Sequence, residues 1–193
     1  MGYLSDNEMI EIMKNVRLVS IDNIDDISHF VFDSGVEEYN VFLAVAKVFS
    51  ELNISKTFLL IHRKTEELLA YMTLSADSIK LTIEEKEEHD ISKVPYASIP
   101  AIKVGKLAVN KELSDRVKRK GYGSFMLEMA RAYAYEMNVM GIACRFITVD
   151  ADIEYDDNTP KFYRKNGFIE NLSNKRRNPS HTISMRKDIF VEG

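Results

Sequence analysis

The residues best able to do chemistry stand together at Lys118-Arg119-Lys120-Gly121-Tyr122-Gly123-Ser124, with Arg116 two places ahead. Glycines before a helical pattern let the backbone turn tightly and approach a ligand. The unpaired N–H groups of a helix start, together with its dipole, favour negative charge. Four cations around that turn, Arg116, Lys118, Arg119 and Lys120, make it a candidate pyrophosphate cradle. The bland reading is a tight turn with solvated basic side chains. Two nucleotide fingerprints fail here. Met126 occupies the third glycine's place in Gly-x-Gly-x-x-Gly, and no Gly-x-x-x-x-Gly-Lys-Ser/Thr occurs. A phosphate ligand is therefore expected to be neither NAD nor ATP bound in those ways.

The flanking segments have to hold such a loop in place. Ahead of it, 101–109 is rich in Ile, Val, Leu and Ala and reads as a buried strand. Behind it, Phe125, Met126, Met129, Ala130, Tyr133 and Met137 fall on one face of a long helix that Gly141 ends. An apolar strand over 143–150 follows. Thr159-Pro160 then reads as an N-cap with proline at the first helical position, in a short helix stopping near Asn166-Gly167. Residues 181–189 alternate as a final strand.

Upstream, 15–21 reads as a short strand. Ser34-x-x-Glu37 has the form of a capping box for a helix over 36–51, whose stripe Phe42, Val45, Ala46 and Phe49 should face a sheet. Strands over 57–62 and 68–75 are joined by a polar hairpin loop. The acidic run 84–90 reads as a solvated loop or helix face. No repeat or linker is visible, and the expectation is one domain over 1–193.

Composition narrows the function classes. The 193 residues carry 26 Lys and Arg against 30 Asp and Glu, a net charge of −4, which gives no global reason to bind nucleic acid. The single cysteine, Cys144, excludes an internal disulfide framework and any multi-cysteine zinc site, and points to a reducing compartment. Without a membrane-length apolar run or a basic-then-apolar start, the protein is read as soluble and cytoplasmic. Cys144 lies in an apolar run and reads as a small buried hydrophobe. His29, His62, His89 and His181 are scattered without metal-ligand spacing, so no metal is expected. Lys175-Arg176-Arg177 reads as a solvated turn, with RNA phosphate contact as its alternative.

The chain resembles the GNAT superfamily of N-acetyltransferases. Their signature, Arg/Gln-x-x-Gly-x-Gly/Ala, is present as Lys118-x-x-Gly121-x-Gly123. It is preceded by Val104-Gly-Lys-Leu-Ala-Val-Asn110, which is similar to the family's fourth strand. Lys118 departs from the pattern: a cation is kept, but planar or amide recognition is not. Cys144-Arg-Phe-Ile-Thr-Val-Asp-Ala151 resembles the fifth strand, and Lys161-Phe-Tyr-Arg-Lys-Asn-Gly-Phe168 the family's Phe-Tyr-x-Lys-x-Gly-Phe element. Phe32-Asp-Ser-Gly35 and Tyr71-Met-Thr-Leu-Ser75 resemble the TacT-like branch, toxins that acetylate aminoacyl-tRNA. The implied fold is α+β, with a mixed, mostly antiparallel sheet of six to seven strands and helices on both faces.

The resemblance implies acetyl-CoA as cosubstrate and a primary amine as acceptor, on a small molecule, a peptide or an aminoacyl-tRNA. It places Leu107, Ala108 and Val109 beside the pantetheine and thioester, and Lys118, Arg119, Lys120, Gly121, Tyr122, Gly123 and Ser124 around the pyrophosphate. Tyr163 matches the family tyrosine that protonates the departing thiolate; its plain alternative is an amphipathic core residue. No general base stands out. Asp150, Asp152 and Glu154 are candidates, although 150–157 also reads as a polar loop. A silent coenzyme-binding module is the non-enzymatic alternative, and a homodimer through exposed strand edges is left open.

Overall fold

The computed structural model describes residues 4–172 and 181–191. Twelve principal elements follow in order: α1 (Asp6–Asn15), β1 (Val16–Ser20), α2 (Glu37–Glu51), β2 (Lys56–His62), β3 (Leu68–Lys80), α3 (Ile83–Glu88), β4 (Ser98–Val109), α4 (Tyr122–Val139), β5 (Phe146–Asp152), α5 (Thr159–Lys165), β6 (Ile169–Glu170) and β7 (Thr182–Asp188). The strands form a seven-stranded sheet in the order β1-β2-β3-β4-β5-β7-β6. β1 and β2, β2 and β3, β5 and β7, and β6 and β7 run antiparallel. Between β4 and β5, Arg145 N–H donates to Pro100 and Thr148 Oγ1 to Ile102, so numbering rises together and the pair is parallel. The sheet is therefore mixed, as the resemblance implied. The chain divides into two compact units, one from Tyr3–Ser75 and Val104–Met129, the other from Ala76–Lys103 and Ala130–Gly193.

In the first unit, Leu43, Ala46, Leu59, Ile61, Leu68, Tyr71 and Ala108 form a buried cluster. Helix α2 contributes Leu43 and Ala46 and also buries Ser50, while Val45 is exposed. The buried stripe thus lies about one position round from the expected one, with Phe42 and Phe49 half-buried beside it. The expected capping box is not made. Val36 is the N-cap and has no side-chain cap. Ser34 instead accepts from Val36 N–H at 3.2 Å, and Asp33 accepts from Gly35 N–H and Asn40. A short polar side chain two residues before a free N–H closes a local turn before it can reach the helix.

Helix α1 was not expected from the acidic N-terminus. Ser5-x-x-Glu8 makes the capping box that Ser34-x-x-Glu37 does not, and Ile12 buries its inner face. The signal was local: a Ser-x-x-Glu pair followed by Met9, Ile12 and Met13 at helical spacing.

The second unit corrects the reading of the acidic run. Residues 83–88 are a helix capped by Thr82 and Glu85, and Glu85 is 1% exposed. Its carboxylate accepts from Arg186 Nη1 at 2.6 Å and Leu172 N–H at 2.8 Å. Arg186, equally buried, also reaches Glu88, Asn171 and the carbonyl of Glu170. Its Nε donates to His89 Nε2 at 3.1 Å, so the ring carries its proton on Nδ1 and donates to Asp188. Arg145 closes the network on Asp188 at 2.7 Å. Burial would push the Asp188 carboxyl up, but hydrogen bonds from His89 and Phe190 N–H and the Arg145 charge hold it below its ordinary value. The sequence shows the acids but not the arginine, which arrives about a hundred residues later.

Breaking one side of this network leaves a charge buried without a partner. Arg186→Met is expected to cost about 3–5 kcal/mol of stability, against less than about 1 kcal/mol for an exposed pair such as Lys56 with Asp22. Urea unfolding of Arg186→Met and Asp22→Asn side by side checks this; equal losses would contradict it.

Candidate functional site

Strand β4 delivers the chain to the basic loop, and Asn110 anchors the point of delivery. Asn110 is buried, and all of its side-chain capacity is used. Nδ2 donates to the carbonyls of Val31 and Leu68, both at 2.8 Å, and Oδ1 accepts from Asp33 N–H at 3.1 Å and Glu112 N–H at 3.0 Å. Its own N–H continues the ladder to Leu69. Just before it, Thr73 Oγ1 accepts from Lys106 N–H, and Gly105 leaves room for that hydroxyl: an added Cβ would come within 3.0 Å of it. Leu107 and Val109 are half-buried and Ala108 is buried.

The loop is pinned at further points. The Glu67 carboxylate, from the β2–β3 turn, accepts from both the N–H and the hydroxyl of Ser114. Ser114 in turn accepts the N–H groups of Val117 and Lys118. Val117 is buried, and its carbonyl accepts from the hydroxyl of buried Tyr122 at 2.7 Å. Between these anchors Arg116, Lys118 and Lys120 are exposed, while Arg119 is half-buried. Gly121 has φ +107°, and the first α4 bond joins Phe125 N–H to its carbonyl. The N–H groups of Tyr122, Gly123 and Ser124 therefore precede any intrahelical acceptor. The structure brings the ten expected cradle residues into one compact unit. Asn110, Ser114 and Glu67, which hold them, were not singled out; an asparagine closing an apolar strand was the available signal.

Tyr163 is carried by the other unit. Helix α5 has Asn158 rather than Thr159 at its N-cap position, with no side-chain cap, which puts Pro160 at its second position, and it ends at Asn166 with Gly167 at φ +81°. Tyr163 is buried, its ring 5.2 Å from Phe162 and 5.4 Å from Phe168. In the acidic segment, Asp150 pairs with Lys103, and Asp152 and Asp156 accept the N–H groups of Glu154 and Asn158. Asp150 and Asp152 lie within β5 and the Asp150 pair joins two strands, whereas the Asp152 and Asp156 contacts are local turns, so only the residues after Asp152 form the expected polar loop. Cys144 is buried just ahead of β5, and burial pushes its thiol up, away from nucleophile chemistry. Among the described residues, no group of three or more His, Cys, Asp or Glu could hold a metal. Residues 175–177 lie outside the described residues.

Gly121 is constrained twice, by its φ and by Leu4, whose Cδ2 would lie 2.7 Å from an added Cβ. Gly141, at φ +87°, has nothing within 4 Å of the same point. Gly141→Ala should therefore cost about 1 kcal/mol from conformation alone, and Gly121→Ala about 1–3 kcal/mol more. Denaturant unfolding compares them, and equal costs would show that Leu4 is not tight against the turn.

No family model matches the sequence, nor does any curated protein. Solved structures do match. A tyrosine-to-phenylalanine mutant of KacT is 22% identical, with 91% of this chain and 95% of that one covered, at a TM-score of 0.69. AtaTR bound with acetyl-CoA is 21% identical over 92% and 95%, at 0.66. AtaT complexed with acetyl-methionyl-tRNAfMet is 20% identical over 88% and 94%, at 0.65. What is shared at these identities is the fold, a mixed seven-stranded sheet with helices.

Proposed function

We propose that the protein is an acetyl-CoA-dependent N-acetyltransferase that moves an acetyl group to a primary amine by direct attack. The observation that supports this most is the turn from β4 into α4. A pinned strand end, a loop with three exposed cations and a positive-φ glycine lead to three helix N–H groups that precede any intrahelical acceptor. That donor set suits a pyrophosphate. It stands on a fold shared with proteins solved with acetyl-CoA.

When bound, acetyl-CoA supplies an activated acyl thioester. The chain's part is to position it and to handle a proton. Lys118 and Lys120, with the 122–124 N–H groups, would hold the phosphates, so that binding far from the thioester places the acetyl carbon for attack. The backbone of Leu107, Ala108 and Val109 would receive the pantetheine and donate to the carbonyl oxygen as it gains charge. The amine, arriving neutral, forms the C–N bond through its nitrogen, the C–S bond breaks, Tyr163 would give its proton to the sulfur, and the proton shed by the nitrogen would return through water to the Tyr163 oxygen. A phenol near pKa 10 donating to a thiolate near 8.5 is uphill by roughly 2 kcal/mol, which hydrogen bonding and the steps that follow can absorb.

Calorimetry with acetyl-CoA tests the binding: saturable heat is expected, and none at millimolar coenzyme would end the reading. Tyr163→Phe should lower turnover about 10²-fold or more at saturating acetyl-CoA, with coenzyme binding kept. Unchanged turnover would remove Tyr163 as proton donor and leave it a core residue.

An aminoacyl-tRNA as the amine acceptor is the reading favoured by the structure of AtaT with acetyl-methionyl-tRNAfMet. Neighbours are also solved with an antitoxin segment, which makes a small protein partner the corresponding proposal. The net charge of −4 sets the test, since RNA would have to be held by local basic patches. Release of coenzyme A is expected with charged tRNA, with KM rising steeply as salt increases. Release with simple amines alone, insensitive to salt, would instead assign a small-molecule acceptor.

A further inference from the structure

Helix α1 lies against the basic loop through two different contacts. On its inner side, Ile12 and, just ahead of the Ser5 cap, Leu4 face Gly121: the Leu4 and Ile12 side chains would stand 2.7 and 3.7 Å from an added Cβ. Ile12 is fully buried, and the capping box at Ser5 and Glu8 fixes where the helix begins. On its outer side, Glu11 Oε1 is 3.3 Å from Arg119 Nη1. A pocket of about 480 Å³ lies here, with Glu8, Glu11 and Asn15 of α1 on one side and Arg116, Lys118 and Lys120 of the loop on the other. Hydrogen bonds from the Ser5 N–H and hydroxyl hold the Glu8 carboxyl below the usual carboxylate range, and Arg119 adds a smaller pull. Two carboxylates thus face a loop with four cations.

We propose that α1 is the positioning element of the phosphate loop, with Leu4 clamping the turn at Gly121 and Glu11 serving as an exchangeable counter-ion for Arg119. The inference rests on the acetyl-CoA reading and deepens it by naming what sets the affinity of that site. The two contacts work in opposite directions. The apolar clamp limits the loop conformations that binding would otherwise have to order, so it favours the coenzyme. The ion pair occupies a guanidinium that a phosphate could use. With Glu11 65% and Arg119 27% exposed at the side chain, the pair is of the kind that contributes little and is easily exchanged for a more highly charged partner.

This predicts an asymmetry that a merely structural helix would not give. In calorimetry on the full chain, Glu11→Gln should tighten acetyl-CoA binding by about two- to fivefold at low salt, and the gain should fade at 0.5 M salt, where the screening length is only a few ångströms. In turnover the change falls on the KM for acetyl-CoA rather than on kcat. Leu4→Ala should weaken binding. Glu11→Gln that binds equally or less tightly overturns the counter-ion role. Limited trypsin digestion provides a readout that needs no coenzyme: cutting after Lys118, Arg119 and Lys120 should be faster in Leu4→Ala than in the wild type. Equal cutting overturns the clamp. Wild-type protein that binds no acetyl-CoA would end the coenzyme reading, and the counter-ion role with it, while the clamp is decided by trypsin alone.

Discussion

The unit that carries the basic loop depends on one saturated amide. Asn110 joins three stretches of chain that are far apart in sequence: residues 31–33, the start of β3, and its own strand end where the basic loop begins. An amide offers two donors and two acceptor positions, and here each has a partner in a buried setting, where leaving any one unmade costs about 1–3 kcal/mol. A strand end held only by its ladder would fray into a loop rich in like charges. Held by Asn110, Glu67 and the Tyr122 hydroxyl, the loop can keep its lysines side by side and turn at Gly121 into the helix.

The other unit solves a different problem with the same chemistry. A fully buried arginine, Arg186, is neutralised by Glu85 and Glu88 and aligned by a neutral imidazole that passes the polarity on to Asp188 and Arg145. Such a network contributes less to net stability than an apolar core of equal volume, but it strongly penalises any arrangement in which a member loses its partner. It therefore fixes where α3 sits against β7 within that unit.

Legibility in the sequence followed the range of the interactions. Strands and α4 were readable because their signals are periodic and local, and the turn at Gly121 because glycine takes a positive φ without a steric cost. Helix starts were less secure. Ser34-x-x-Glu37 and Ser5-x-x-Glu8 have the same spacing, yet only the second makes a box, because Asp33, Gly35 and Asn40 draw Ser34 into a turn. Glu85 in an acidic run and Asn110 at a strand end could not be ranked above their neighbours, since what distinguishes them is a partner some 40 to 100 residues distant. The average charge of −4 carries no information on distribution, which here puts four cations on one loop and sets two carboxylates of α1 against them.

On the proposed reading the α4 start is a phosphate site whose backbone, rather than a particular side chain, receives the ligand. Backbone recognition also tolerates Lys118 where the resembled family carries Arg or Gln. The most direct measurement is an NMR titration of ¹⁵N-labelled protein with acetyl-CoA, following the backbone amides of residues 121–124. Saturable shifts, largest at these amides and shared by coenzyme A without the acetyl group, are the predicted result. Saturable shifts that leave residues 121–124 unmoved, or no shifts at all at millimolar coenzyme, would contradict it.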